Sequence, residues 1–387
     1  MASSMNNEYD AIVIGVGGMG SAALYHLARR GLRVLGIERY DIPNDMGSSG
    51  GTTRMIRLSY HEHPSYVPLV RRAYELWQQL ENGFGERLLV TTGSIRAGVE
   101  DSPMFVGSKL ACDTHNLPYQ ILEGPEVNQR FPGYQLPEDI LAIYQADGGF
   151  LNSERCIVAH VSGALELGAQ VHGREHVLDW EPVDAGVRVE TDRGSYTARN
   201  LVVCAGAWAA KMVPEIARWA IPERQVLAWF LPSRPELFRP EAFPVFGIEV
   251  EEGRYYGFPS YDIPGFKVGK YHHLSQDVDP DTMDREVHPE DEETLRSFTN
   301  RYFPMAAGPT LAMKTCIFTN TPDGDFIIDI HPEYPQVSIA AGFSGHGFKF
   351  CSVVGEIMAD LAQKGETSHD LSLFRLDRFG MTVEGDS

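Results

Sequence analysis

The stretch "YDAIVIGVGGMGSAALYHLARRGLRVLGIER" constrains the fold more than any other part of the chain. Ala11 to Ile14 is a short apolar run of the kind that forms a buried parallel strand. Gly15, Gly17 and Gly20 follow as GxGxxG, with Gly18 between them, and Ser21 to Arg30 has helical character up to Gly31. Leu32 to Ile37 reads as the next strand, and Glu38 closes it about 20 residues beyond the glycines. This is a complete βαβ dinucleotide-binding unit. Gly15 permits a tight turn, Gly17 lets backbone approach a pyrophosphate, and Gly20 lets helix and strand pack closely. The helix N-terminus offers N–H donors and a positive dipole to the phosphates. Glu38 is placed to accept the ribose hydroxyls, and an acid there disfavours a 2′-phosphate.

Beyond Glu38, Leu69 to Leu80 predicts an amphipathic helix and Ser153 to Leu167 a second one. The apolar run Asn200 to Ala205 ends at Gly206, as a strand returning a small-residue turn to the nucleotide would. Residues 216–304 are richer in aromatics and prolines and contain strands such as Gln225 to Leu231. Residues 311–387 return to strand, turn, strand and a helix from Phe348 to Gln363. The expected fold is therefore α/β: a Rossmann-like domain (1–90, 146–215 and 305–387) interrupted by an α+β substrate domain on a mixed sheet (91–145 and 216–304).

The length of 387 residues, 43% of them hydrophobic, supports a core of that size. Mean hydropathy is −0.22, and no apolar run is long enough to span a membrane. The opening "MASSMNNEYD" lacks the pattern of a secretory signal and reads as a disordered leader. The five cysteines are widely spaced without a CxxC pair, so neither a disulfide framework nor a metal site is expected, and a cytoplasmic setting fits. A net charge of −20 argues against nucleic-acid and anionic-membrane partners.

The βαβ unit alone does not separate NAD from FAD. The segment "GSSGGTTRMIRLSYHEHPSYVPLVRRAYELW" (Gly47 to Trp77) is similar to its counterpart in the monomeric sarcosine oxidase family, which includes N-methyltryptophan, pipecolate and fructosyl-amino-acid oxidases. "YYGFPSY", "FKVGK" and "DPDT" resemble the family's substrate-domain strands. "KTCIFTNTPDGDFIID" and "AAGFSGHGFKF" complete the resemblance in the family's order. It implies FAD as cofactor and a small secondary-amine amino acid as substrate. The C–N bond is then oxidised to an imine that hydrolyses, with O2 reduced to hydrogen peroxide. A monomer is also implied.

By the same resemblance, Cys316 is the flavin-linking cysteine, with Lys314 as a basic neighbour favouring its thiolate. From composition alone it reads as a buried core residue. Arg57 and Lys349 correspond to the residues that hold the substrate carboxylate, and Tyr256 to a substrate-site tyrosine with a catalytic part. Arg54 corresponds to a cation at the reactive face of the ring. Lys267 corresponds to the lysine that assists oxygen, while Lys270 would face the other way in a strand. The cofactor set implied is Gly15, Gly17, Gly18, Gly20, Glu38, Arg39, Ser48, Thr53, Arg54, Cys316, Gly345, His346, Gly347, Phe348 and Lys349. His346 reads equally as a packed structural histidine.

Three departures from the family stand out. Ser49-Gly50 replaces a histidine pair, and Phe318 replaces a tyrosine. "KVGKYHH" carries an extra residue, so either Tyr271 or His272 fills the place of an active-site histidine; His272 is carried as the catalytic candidate. Lost side chains imply room for a larger amine substituent. Two other readings compete: a flavin dehydrogenase or imine-forming biosynthetic oxidase acting on a cyclic amine, and a dinucleotide-binding protein without redox chemistry.

Overall fold

A computed structural model describes residues 8–380. Residues 1–7 of the leader expected at the N-terminus lie outside it.

The βαβ unit forms as its pattern demands: strand Tyr9–Ile14, helix Gly18–Arg29 and strand Val34–Ile37, the two strands parallel. Two glycines show why the fingerprint is needed. Gly15 has φ +85°, and a Cβ there would lie 2.5 Å from the carbonyl oxygen of Cys204. A Cβ on Gly20 would lie 1.7 Å from the carbonyl oxygen of Gly15, so only glycine lets the helix start this close to the strand.

These strands sit inside an eight-stranded sheet. Strand Ser195–Val203 runs parallel to Tyr9–Ile14 and is followed outward by Val337–Ala341 and Ile327–Ile330. It begins earlier than its apolar run suggests, because its polar first half pairs antiparallel with Gly186–Thr191. The helix Gly18–Arg29 packs on Cys351–Lys364, where a Cβ on Gly355 would lie 2.5 Å from Ala22. The predicted helix at Leu69 to Leu80 extends over Tyr66–Phe84, burying Val67, Val70, Ala73, Trp77 and Leu80 at helical spacing.

A second sheet has nine strands and is mixed: Ser94–Gly98 runs parallel to Val245–Val250, and its remaining pairings are antiparallel. Its core is dense in aromatics, with Phe246 4.6 Å from Phe303 between ring centres. Strand Thr310–Asn320 belongs to this sheet, paired with Ile221–Phe230. The sequence-based boundary at residue 305 had grouped that strand with the first sheet. Its register against Ile221–Phe230 places Cys316 opposite Gln225. A three-stranded sheet of Thr53–Ile56, Gly149–Asn152 and Leu89–Thr91 completes the strand framework.

Candidate functional site

A cleft of about 410 Å³ opens at the carboxyl ends of Tyr9–Ile14 and Val34–Ile37. Ligands of open α/β sheets bind at such a place. Its walls include Gly15, Gly17, Gly18, Glu38, Arg39, Ser48, Arg54, Gly345, Gly347 and Phe348, all expected cofactor contacts. A Cβ on Gly17 would meet nothing within 4 Å, so the backbone there is open to a close-fitting ligand. The two oxygens of Glu38 accept from the backbone N–H groups of Val16 (2.9 Å) and Tyr40 (3.0 Å), which fixes the carboxylate at the strand end. Burial raises its pKa, and the hydrogen bonds from Tyr40 and Val16 work against that rise. The small-residue turn Cys204 to Ala207 lines the cleft beside Gly15, where the returning strand was expected to bring it. Trp208, Lys211 and Asp281 also line the cleft and were missed. Asp281 accepts from Arg39 at 2.6 Å and from Trp208 at 2.8 Å, linking residues far apart in sequence without a motif.

A smaller cavity of about 50 Å³ adjoins the cleft, and Arg54, Phe318, Gly345 and Phe348 line both. Its other walls include Met55, Arg57, Arg96, Tyr256, Phe258, Tyr271, Cys316, His346 and Lys349. Despite Ser49-Gly50, it is compact. Aromatic side chains close it, while Ser49 lines the larger cleft and Gly50 lines neither space.

Four cations face this small space: Arg54, Arg57, Arg96 and Lys349. Arg57 is buried and donates through one guanidinium nitrogen to both oxygens of Glu62 (3.0 and 2.9 Å). Burial opposes its charge and the Glu62 carboxylate restores it, leaving Arg57 above its usual pKa. Lys349 is buried with no carboxylate partner among the described residues; its ammonium donates to the carbonyl of His346 and lies over the Tyr60 ring. Burial, reinforced by Arg57, drives its pKa well down. A buried cation of this kind is costly unless an anion joins it.

Arg54 leaves strand Thr53–Ile56 at the junction of cleft and cavity and donates to Thr53 (2.8 Å), Ser48 (2.7 Å) and Gly50 carbonyls. One of its nitrogens lies 4.0 Å from the sulfur of Cys316. Lys314, expected to be the basic neighbour, is instead half-exposed and 3.8 Å from Asp45. Burial raises the pKa values of Cys204 and Cys351, the two cysteines of the cleft.

Period two in strand Phe266–Lys270 sends Lys267, Gly269 and Tyr271 to one face and Lys270 and His272 to the other. This decides the ambiguity of the extra residue. Tyr271 lines the cavity, 5.3 Å from Tyr256 between ring centres. His272, the expected catalytic histidine, has φ +53° beyond the strand end and turns outward to Glu223 at 2.7 Å. Lys267 is buried just behind the cavity and lines neither space. It donates to Gly51 and Thr53 and lies 4.5 Å from the centre of the Phe258 ring. Thr53, expected at the cofactor, lines neither space: its hydroxyl accepts from that lysine, and its carbonyl accepts from the lysine and from Arg54.

His346 is held at both nitrogens: Nδ1 lies 2.6 Å from the Tyr60 hydroxyl and Nε2 3.0 Å from the Gly324 carbonyl. Nε2 must donate to the carbonyl, and with burial opposing the charged ring Nδ1 is left to accept from the Tyr60 hydroxyl. Burial lowers its pKa to about 4. The side chain locks the loop, and the flanking backbone forms the walls. Gly345, at φ +75°, is one such wall position where a Cβ would strike Phe318. Phe348–Phe350 then starts as a 3₁₀ turn before Cys351–Lys364.

The model of the family described as FAD dependent oxidoreductase (DAO) matches residues 10–361. A monomeric sarcosine oxidase of Bacillus sp. (strain NS-129) is 42% identical over 98% of this chain and 99% of its own. An N-methyl-L-tryptophan oxidase of Yersinia pestis (strain Pestoides F) is 34% identical over 96% of this chain and 100% of its own. The solved structure of NikD, an amino acid oxidase essential for nikkomycin biosynthesis, superposes with a TM-score of 0.84 at 25% identity, covering 96% of this chain and 98% of that one. The chain belongs to the FAD dependent oxidoreductase family and, within it, to the family of the monomeric sarcosine and N-methyl-L-tryptophan oxidases.

Proposed function

We propose that this protein is an FAD-dependent amine oxidase acting on the C–N bond of a compact secondary-amine amino acid, N-methyl, N-alkyl or cyclic. The observation that carries this reading is the shared wall of the two spaces. A small carboxylate-bearing molecule in the inner cavity lies across Arg54, Phe318, Gly345 and Phe348 from the dinucleotide cleft. The cleft suits FAD through its open Gly17 backbone, its Glu38 carboxylate and its glycine-lined far wall. When bound, FAD supplies the two-electron acceptor, and its reoxidation by O2 yields hydrogen peroxide. The substrate carbon beside nitrogen loses a hydride equivalent and the nitrogen a proton; the imine takes up water and splits into amine and carbonyl.

The chain's own residues bind and orient. Arg57 and Lys349 hold the substrate carboxylate, which competes with Glu62 for the Arg57 fork. Tyr256 and Tyr271 pack the substrate against the cleft and exclude water. Arg54 presents positive charge where electron density develops, and Lys267 does so where oxygen is reduced. Cys316, beside the Arg54 guanidinium, carries the covalent link. Its strand reaches the rim where cleft and cavity meet, with Phe318 lining both. No helix of the described residues is long and apolar enough to cross a membrane. The wide cysteine spacing supports a cytoplasmic setting, the net charge of −20 argues against nucleic-acid and anionic-membrane partners, and the likeness to monomeric sarcosine oxidases supports a monomer working on small molecules.

Peroxide release measured against oxygen uptake tests the reading on sarcosine, N-methylalanine, N-methyltryptophan, proline, pipecolate and fructosyl-glycine. Stoichiometric peroxide with at least one of the compact amino acids is expected. Flavin reduction without oxygen uptake would indicate a dehydrogenase instead.

A further inference from the structure

Arg96 is the cation in the inner cavity that the family resemblance does not account for. It sits on strand Ser94–Gly98 of the nine-stranded sheet, is 2% exposed, and lines the cavity beside Arg57 and Lys349. A cavity for a single carboxylate already has Arg57 and Lys349 to hold it, so a third cation calls for a separate explanation.

The chain makes room for this side chain. A Cβ on Gly247, in the adjacent parallel strand, would lie 1.7 Å from one terminal nitrogen of Arg96 and 2.5 Å from its guanidinium carbon. Glycine at 247 is therefore what allows an arginine at 96 to extend inward.

Arg96 has no carboxylate of its own among the described residues. One terminal nitrogen lies 3.8 Å from the sulfur of Met55 and the other 2.9 Å from Nδ1 of His61, while Nε has no partner. Nδ1 of His61 also lies 2.9 Å from Glu62. One nitrogen cannot accept from Arg96 and donate to Glu62 at once. Arg96 therefore receives at most one neutral acceptor, and in the other tautomer none. Glu62, the nearest acid, gives both its oxygens to Arg57. A buried guanidinium has five donors in a fixed fork, and leaving most of them unmet costs far more than a single hydrogen bond recovers.

We infer that Arg96 is a specificity-determining residue that receives a second carboxylate of the substrate. The preferred substrate is then an N-substituted amino dicarboxylic acid, such as an N-methylaspartate, an N-methylglutamate or iminodiacetate. This deepens the amine-oxidase reading and rests on it. Arg57 and Lys349 take the carboxylate on a carbon bonded to nitrogen, and Arg96 takes the one at the far end. The atoms a short diacid adds end in a group that Arg96 neutralises.

The test uses the purified holoenzyme and two substrate sets. One holds sarcosine and N-methylalanine; the other holds N-methylaspartate, N-methylglutamate and iminodiacetate. A charge-assisted pair to a buried arginine predicts kcat/KM about 10-fold to 100-fold higher for at least one diacid. Arg96→Leu should lower the ratio of diacid to sarcosine kcat/KM by a similar factor. If the monocarboxylates are oxidised as well as or better than every diacid, the inference about Arg96 fails and the amine-oxidase reading stands. If neither set is oxidised, the inference about Arg96 fails, and the amine-oxidase reading fails with it only if proline, pipecolate and fructosyl-glycine also release no peroxide. A binding measurement keeps the test open should the variant not fold. Calorimetric titration of the wild type with glutarate and with butyrate should show glutarate binding at least about 10-fold more tightly, and equal affinities would overturn the assignment.

Discussion

The ammonium of Lys267 lies 2.7 Å from the carbonyl oxygen of Gly51, buried and with no salt-bridge carboxylate among the described residues. The carbonyl and hydroxyl of Thr53 complete its hydrogen bonds at 2.8 and 2.9 Å. Burial pulls its pKa well down, Arg54 pulls the same way, and only weaker influences from Glu154 and Cys316 oppose them. A cation kept at such cost just behind the cavity wall is placed to respond to a transient anion. Lys267→Met should leave anaerobic flavin reduction within a few-fold of wild type. Reoxidation by O2 should slow by roughly 10²-fold or more, as for other preorganised electrostatic groups. Stopped-flow absorbance separates the two half-reactions, and an unchanged reoxidation rate would remove Lys267 from the oxygen step.

Arg57→Met should raise KM for the amine and lower kcat/KM. Losing one partner of a buried charge pair costs about 2 kcal/mol or more, which is roughly 30-fold. The variant also leaves Glu62 without its guanidinium. Steady-state kinetics should therefore be paired with a melting curve. A fall in stability with intact kcat/KM would assign Arg57 to the scaffold alone.

Cys316→Ala should yield protein that loses its yellow colour on acid precipitation, whereas the wild type keeps it. Mass spectrometry of the intact wild-type chain should show the added mass of FAD. Quantitative recovery of free FAD from the wild type would return Cys316 to an ordinary strand position.

Acid should destabilise the protein before carboxylates titrate. His26 and His346 are buried, and burial lowers the pKa of each from 6.5 to about 4. The unfolded chain protonates these rings near 6.5 while the folded chain keeps them neutral. Their contribution to stability is thus full above 6.5 and is lost as pH falls toward about 4. Each accounts for about 3 kcal/mol over that window, at about 1.4 kcal/mol per pH unit. Melting temperature should drop steeply between pH 6.5 and 4, and the slope should be shallower in His346→Gln. A flat profile there would show that these rings are not neutral in the folded state.

The local parts of the architecture were legible from sequence because their causes are local. GxGxxG between two apolar runs admits one βαβ geometry, and the conflict at Gly20 shows why. Lys267 and Lys270 could be assigned opposite faces from strand alternation alone. What escaped depended on distant partners. Asp281 reaches the cleft through Arg39 and Trp208, and Glu223 draws His272 outward, across separations that carry no periodic signal. Arg96 escaped for a similar reason: its meaning depends on a glycine that lies next to it only in the sheet. The boundary at 305 failed because strand Thr310–Asn320 pairs with residues of the intervening segment.

That pairing has a consequence for assembly. The turn Gly15 to Gly20 hangs from one sheet and Cys316 from the other, so the proposed bond from this sulfur to the cofactor would be a rivet through both layers. It cannot be set until each layer has formed and the two have met. On the proposed linkage, colour that survives acid precipitation would be a record of completed folding, and a chain whose halves failed to dock would release its flavin.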